Sequence, residues 1–257
     1  MVRIEKKLHA SFGFLKSFLD SIPQIFEDHT LIIKNQRNVV KLFKVGDVML
    51  VVKYYKRLTL INRVMYALFR KSKAQQAYEK ALKLEELGVI TPMPIGYLDV
   101  YSGILLKHSY FVSLYVRCKS VKDFLKVPST DKARRIKDFA RFSYNLHKKG
   151  IFHDDYTLKN VLYYETPEGY DFCLIDINRL QFGKFSRARA MHNLRRLDLP
   201  LDVIVFLLME YAHLDKSDVF KTTGRFLFYK RCRKLLSSMK CQGRRLIGIK
   251  AKKAQHA

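Results

Sequence analysis

The chain has 257 residues, 48% of them hydrophobic, which is enough to bury a substantial core and excludes a wholly disordered protein. Its 49 Lys and Arg against 23 Asp and Glu give a formal charge of +26, which directs the search to anionic partners. No apolar run approaches the ~20 residues of a bilayer span, and Cys118, Cys173, Cys232 and Cys241 match no zinc spacing, so reduced structural thiols are expected.

Residues 1 to about 30 read as a helical and looped lead-in, with Pro23 ending the first helical pattern. The apolar stretch from Phe12 to Leu19 is broken by Lys16 and Ser17, too poor a core for a signal peptide, which predicts a cytoplasmic protein. Asp47 to Lys53 is an apolar strand that ends in a charge. Ser72 is an N-cap, an apolar face runs through Ala74, Ala77, Tyr78, Ala81, Leu82 and Leu84, and Gly88 closes that helix. Strands follow near Ile95 to Val100 and Tyr110 to Val116, and Cys118-Lys119-Ser120 is a hinge candidate. A helix with Ile136, Phe139, Ala140, Ser143 and Leu146 on one face stops at Gly150. Val161 to Tyr164 and Tyr170 to Ile175 are strands joined by the turn Glu165-Thr166-Pro167-Glu168-Gly169. Val203 to Met209, bracketed by Asp202 and Glu210, reads as a buried helix, and the tail from Gly248 as disordered. The chain therefore divides into a β-rich part, 1–117, with the strand that ends in Lys53 and the helix that carries Glu79, and a mainly helical part, 118–257, with the polar loop 153–160 and the basic tail.

The chemistry sits in His153-Asp154-Asp155-Tyr156-Thr157-Leu158-Lys159-Asn160 and in Leu174-Ile175-Asp176. A His-x-Asp triplet, an Asn five residues after the Asp, and an Asp at a strand end form the arrangement used by phosphotransferases of the protein-kinase superfold. Asp155 is the candidate base for an attacking hydroxyl, and Asn160 and Asp176 are candidate ligands for the ions that bridge ATP phosphates. Phosphoryl transfer needs positioned metal and neutralised charge, hence carboxylate and amide oxygens on short rigid turns.

A kinase also needs a Lys for the phosphates and an acid to hold it. Lys53 is favoured over Lys56 because it ends the strand; the bland alternative is a snorkelling side chain. Glu79 lies mid-helix beside the apolar face and is the favoured partner of Lys53; the alternative is a solvated pair with Lys83 at i,i+4. The stretch Ile33 to Val40, where a glycine-rich hairpin would cover the phosphates, has no glycine, and backbone amides or Lys34 and Arg37 remain the two ways to approach them.

Several blocks in order resemble the bacterial lipopolysaccharide kinases, which phosphorylate Kdo or heptose sugars of the inner core. They are Val51-Val52-Lys53, Arg70-Lys71-Ser72-Lys73-Ala74 with Tyr78-Glu79, and Leu87-Gly88 followed by Thr91-Pro92-Met93-Pro94-Ile95. His153-Asp154-Asp155 with Asn160-Val161-Leu162, and Leu174-Ile175-Asp176-Ile177-Asn178-Arg179, complete the set. The last block ends in Asn-Arg, unlike the Phe-Gly of eukaryotic protein kinases. The resemblance implies an α+β, two-lobed protein-kinase-like fold, with a small β-rich N-lobe and a mainly helical C-lobe. It also implies ATP with Mg²⁺ or Mn²⁺ and a sugar hydroxyl acceptor on a lipid-anchored glycan. On that reading Asp155 is the catalytic base, Asn160 and Asp176 are metal ligands, Lys53 and Glu79 are the nucleotide pair, and His153 packs the loop. A kinase of a protein or small molecule, and a kinase-shaped binding module without turnover, are the rival readings.

Residues 184–257 carry 18 Lys and Arg against 5 Asp and Glu, a net +13 and half the chain's excess. A peripheral enzyme on an anionic inner-membrane surface would use that charge at about 1 kcal/mol per Lys or Arg near the lipid. Nucleic acid is the weaker alternative, since it rests on charge alone. The interleaved run Arg225-Phe226-Leu227-Phe228-Tyr229-Lys230-Arg231 suits interfacial anchoring, base stacking or an ordinary amphipathic helix.

Overall fold

The computed structural model describes residues 2–35, 38–56, 71–125 and 130–254, with the backbone alone at 123 and 240–254. The chain divides into two compact units, Met1–Lys119 with Cys173–Arg179, and Ser120–Phe172 with Leu180–Ala257. The first crossing falls between Lys119 and Ser120, inside the hinge candidate.

The first unit is built on a six-stranded sheet in the order β1-β5-β6-β4-β3-β2. Its strands are β1 (Val2–Leu8), β2 (Ile32–Asn35), β3 (Val39–Val45), β4 (Val48–Tyr54), β5 (Pro94–Ser102) and β6 (Leu105–Leu114). Every neighbouring pair is antiparallel. Strand periodicity places Leu50, Val52 and Tyr54 in the same core as Leu15, Leu19, Ile22 and Phe26 from helix α1 (Lys16–Ile25) and its flanks. Lys53, one residue out of phase, therefore belongs to the opposite face, directly across from Val40 on β3 and Phe111 on β6. Helix α2 (Lys73–Glu86) packs on β5 and β6 with Ala74, Ala77, Tyr78, Ala81 and Leu84 buried. Its ends are those expected: Ser72 Oγ accepts from the Gln75 N–H at 3.0 Å, and Gly88 takes φ +60°.

The lead-in is more ordered than the sequence predicts. Residues 2–8 form β1, paired with β5 from Val2↔Ser102 to Leu8↔Gly96. This edge strand is mostly exposed and charged, so it carries little hydrophobic signal, and backbone bonds to β5 hold it. Pro23 lies inside α1 rather than ending it, since the helix closes with Phe26 N–H donating to Ile22 O at 3.0 Å. On either side of residues 36 and 37, which lie outside the described residues with Arg37 among them, the glycine-free stretch contributes to the antiparallel pair β2 and β3, with Lys34 opposite Val40.

The second unit is mostly helical: α3 (Val121–Phe124), α4 (Lys132–Lys148), α5 (Arg187–Leu194), α6 (Leu201–Leu214) and α7 (Val219–Ala254). Between α4 and α5 run β8 (Ile151–His153), a 3₁₀ turn (Leu158–Asn160), β9 (Val161–Thr166) and β10 (Gly169–Leu174), whose last two residues belong to the first unit. A 3₁₀ turn (Ile177–Arg179) follows in the first unit, then β11 (Leu180–Phe182) pairs antiparallel with β8. β10, β9 and β7 (Lys119–Ser120) make a three-stranded sheet in that order. α4 packs on α6, and α5 and α6 pack on α7. α6 is amphipathic rather than wholly buried: Val203, Ile204, Leu207 and Leu208 are inside while Val205 and Met209 face water. α7 continues as helix through Ala254, where the sequence predicts a disordered tail. Its last turns are rich in Lys, Arg and Ala, good helix formers, and Gly248 costs only about 1 kcal/mol.

Gly150 sets the path from α4 into β8. Its φ is +72°, its N–H donates to His147 O at 2.9 Å, and its carbonyl accepts from Gly183 N–H at 2.9 Å. A Cβ there would stand 1.9 Å from Gly183 O, so the two backbones can approach only without a side chain. Gly150→Ala is expected to destabilise the protein by about 2–4 kcal/mol, from left-handed strain plus the clash. Urea denaturation measures it; a loss below ~0.5 kcal/mol would show that the segment shifts freely.

Candidate active site

In the second unit the loop after β8 is held by its own backbone. Asp155 N–H donates to His153 Nδ1 at 3.0 Å, Thr157 N–H to Asp155 O at 2.7 Å, and Asn160 Nδ2 to Asp155 O at 2.8 Å. Tyr156 is buried beneath the loop and its hydroxyl bonds Ser143 Oγ on α4 at 2.7 Å. Asp155 and Asn160 are thus brought together on one turn. The Asp155 side chain is about one-third exposed, and its Oδ1 accepts from Arg196 Nη1 at 3.2 Å.

A buried relay anchors this loop to three helices. His147, on the core face of α4, has both ring nitrogens bonded: one to Asn193 Oδ1 of α5 at 3.0 Å and the other to Tyr211 Oη of α6 at 2.9 Å. An amide oxygen only accepts, so His147 Nε2 is the donor to Asn193; in the neutral ring Nδ1 then accepts from the Tyr211 hydroxyl. Asn193 Nδ2 in turn donates to His153 O at 2.6 Å. Burial pushes the His147 pKa down to about 4, against a weaker upward pull from Asn193. His147, Asn193, Tyr211 and Arg196 are missed by motif reading. Only the spacing of His147 with Ser143 and Gly150 hints at an inward position.

In the first unit Lys53 reaches Asp176: Nζ forms an ion pair with Oδ1, with only 16% of the Lys53 side chain exposed. The ring of Tyr55 lies 5.4 Å from Nζ. Asp176 adopts φ +56°, one of two described non-glycine residues with positive φ. Short polar side chains tolerate that conformation better than most. The turn is pinned on both sides. Leu174 N–H donates to Ile90 O at 2.9 Å, Thr91 Oγ1 to Leu174 O at 2.8 Å, Lys80 Nζ to Asn178 O at 2.6 Å, and Asn178 Nδ2 to Tyr55 Oη at 2.6 Å. Burial pushes the Tyr55 phenol well above its usual pKa.

The ion pair expected between Lys53 and Glu79 is not the arrangement found. Glu79 accepts from Lys71 Nζ with both oxygens, each at 2.8 Å, and from Gln75 Nε2 at 3.3 Å. Lys71 precedes the cap of α2 and reaches Glu79 locally, while Lys53 meets a carboxylate brought from 123 residues away. Lys56 is exposed. Cys118, Cys173 and Cys232 are free thiols, and burial pushes Cys173 up to about 12.

Taken one by one, the predicted ligands have the chemistry Mg²⁺ takes: Asn160 donates Nδ2 to Asp155 O, which leaves its amide oxygen as a hard donor, and Asp176, in the first unit, has a carboxylate. Among the described residues no three His, Cys, Asp or Glu side chains form a cage of their own. Mg²⁺ is commonly held by one or two carboxylates plus substrate phosphates, so a full cage is not required.

The His147 relay makes stability pH-dependent. Its folded pKa lies below the unfolded value near 6.5, so its contribution is complete above about pH 6.5 and is lost as pH falls toward 4. The loss is expected to be on the order of 3 kcal/mol. Urea midpoints at pH 7 and pH 4.5, compared between wild type and His147→Gln, measure it. The same pH slope in both proteins would remove His147 from the account.

The family model of the lipopolysaccharide kinase (Kdo/WaaP) family matches residues 34–216. A solved structure of WaaP in complex with acyl carrier protein superposes with a TM-score of 0.63 at 17% identity, covering 90% of this chain and 99% of that one. The Rio2 kinase–ADP/Mg²⁺–phosphoaspartate complex from Chaetomium thermophilum gives 0.45 at 15% identity, over 90% and 81%. No curated protein matches. The fold is kinase-like and α+β, and with most of its length matched the chain belongs to the lipopolysaccharide kinase (Kdo/WaaP) family.

Proposed function

We propose that the protein is an ATP-dependent kinase that phosphorylates a hydroxyl of Kdo or heptose in the inner core of lipopolysaccharide. Family membership supports the class of reaction, and the observation that carries the reading is the way the loop holds Asp155. Its N–H and its carbonyl are both bonded within the loop, so the carboxylate has a defined direction. Asp155 accepts the proton of the sugar hydroxyl as that oxygen attacks the terminal phosphorus of ATP, and ADP departs. Asn160 and Asp176 would each offer an oxygen ligand to Mg²⁺ or Mn²⁺, whose charge would offset that of the phosphates. Lys53 would bind the ATP phosphates, with Glu79 on α2 as its carboxylate partner.

The acceptor is lipid-linked, and the proposal includes a cytoplasmic protein peripheral to the inner membrane. Among the described residues no helix is long and apolar enough to cross a membrane. α7 supports a surface contact: Phe226 is buried, whereas Leu227, Phe228, Leu235, Leu236 and Met239 are exposed beside Arg231, Arg233 and Lys234. Such a helix joins apolar insertion to attraction for anionic lipid.

Mass spectrometry of lipid A–core from cells with and without the gene tests the reaction. Loss of roughly 80 Da, one phosphoryl group, from a core sugar is expected, restored by wild type and not by Asp155→Ala. In vitro, Asp155→Ala should lower turnover by roughly 10²–10⁴-fold with ATP binding kept. Lys53→Ala should lose transfer and Lys56→Ala keep it; the reverse pattern would exchange their roles. An unchanged core mass would move the acceptor to a protein or small molecule, and no turnover on any acceptor would leave a binding module. For the membrane contact, Leu236→Ser with Met239→Ser should weaken co-sedimentation with phosphatidylglycerol vesicles several-fold. Undiminished sedimentation would remove α7 from the contact.

A further inference from the structure

Three arginines lie close to one another in the second unit, and one of them meets Asp155. Arg195 caps the C-terminus of α5, and Arg196 follows it. Arg233 comes from α7, which packs on α5, and its Nη1 donates to Arg195 O at 3.4 Å. Arg196 Nη1 is the group 3.2 Å from Asp155 Oδ1. The crowding is electrostatically costly. Burial, then Arg196 and Arg233, hold the Arg195 guanidinium below its usual pKa. His192, one turn earlier, is pushed down by burial and by Arg195 and Arg196, with Asp154 opposing. Arg195 Nε is buried with no acceptor.

Local needs do not account for so much positive charge. The C-terminus of α5 offers the equivalent of about half a negative charge, and the effect fades within one turn. Asp155 engages one nitrogen of Arg196, and the Asp154 carboxylate accepts from Gln181 at 3.3 Å. A planar guanidinium matches a carboxylate or phosphate with two parallel N–H bonds. The hydroxyl that Asp155 deprotonates must lie within about 3 Å of its carboxylate, so an anion on a neighbouring carbon of the same acceptor falls within reach of Arg196, with Arg195 and Arg233 adding to the positive potential there.

From this geometry we infer that Arg195, Arg196 and Arg233 form an oxyanion-recognition site for the acceptor, taking a carboxylate or phosphate carried beside the reacting hydroxyl. The inference rests on the kinase reading of Asp155. Arg196 has two tasks, orienting Asp155 and meeting the acceptor anion, so Arg195 and Arg233 give the cleaner test.

Steady-state kinetics of the full chain would be measured on three acceptors: the intact core oligosaccharide, its carboxyl-reduced form and its dephosphorylated form. Arg195→Gln and the exposed Arg233→Gln should each raise the KM for the intact acceptor roughly tenfold or more, with kcat nearly unchanged. The effect should vanish on the form lacking the recognised anion, which identifies carboxylate or phosphate as the source. Arg195→Lys should recover part of the loss. Lys221→Gln, about 18 Å along α7 from Arg233 at the helical rise, should change nothing. An equal effect on all three acceptors, no effect on any, or a raised KM for ATP instead would overturn the site. If wild type phosphorylates none of them, the kinase reading fails separately, and calorimetric titration of inorganic phosphate decides the site. Binding weakened roughly tenfold by Arg195→Gln retains it; equal or absent binding in wild type and variant overturns it.

Discussion

His147 has been taken out of water and given a partner for each ring nitrogen, and the arrangement of the second unit depends on it. One hydrogen bond goes to α5, the other to α6, and α4 supplies the ring itself. Asn193 then passes the restraint to the carbonyl of His153, two residues before Asp155. An amide with one end on an imidazole and the other on a backbone carbonyl has little freedom to rotate, and neither does the strand it holds. Buried polar groups of this kind are costly if left half satisfied, and a complete set rigidifies the site it surrounds.

The first unit meets a related constraint with charge. Lys53 stands at the end of a central strand with only a small part of its side chain in water, and an unpaired ammonium there would be unfavourable. Asp176 supplies the countercharge from a left-handed turn fastened to Ile90, Thr91, Lys80 and Tyr55. The same carboxylate that neutralises Lys53 carries the oxygen chemistry a divalent ion would use.

Local signals were legible in the sequence and distant ones were not. Ser72 and Gly88 bound α2 because caps are chosen by their immediate neighbours. The His153–Asn160 loop and the hairpin after it were readable for the same reason. β1 was not, because a charged edge strand is specified by its partner β5 rather than by its own pattern. The pairing found for Glu79 is local, with Lys71 eight residues before it, whereas Lys53 meets an acid 123 residues away, a separation that no sequence spacing records. The relay through Asn193 and Tyr211 joins residues 46 and 64 positions from His147, separations that no periodicity records.

The division of the chain also imposes an order of events during synthesis. The first unit is discontinuous: its sheet is encoded before Lys119, but the Asp176 turn that completes it arrives only with Cys173–Arg179. A ribosome adds about 5–20 residues per second, so the sheet waits on the order of several seconds for that piece, while the helix of His147 and the Asp155 loop emerge in between. Throughout that interval Lys53 lacks the carboxylate that neutralises it, and Ile90 O and Thr91 Oγ1 lack their partners on Leu174. The nascent N-terminal part is thus an unfinished body, and its completion is timed by the translation of the other unit.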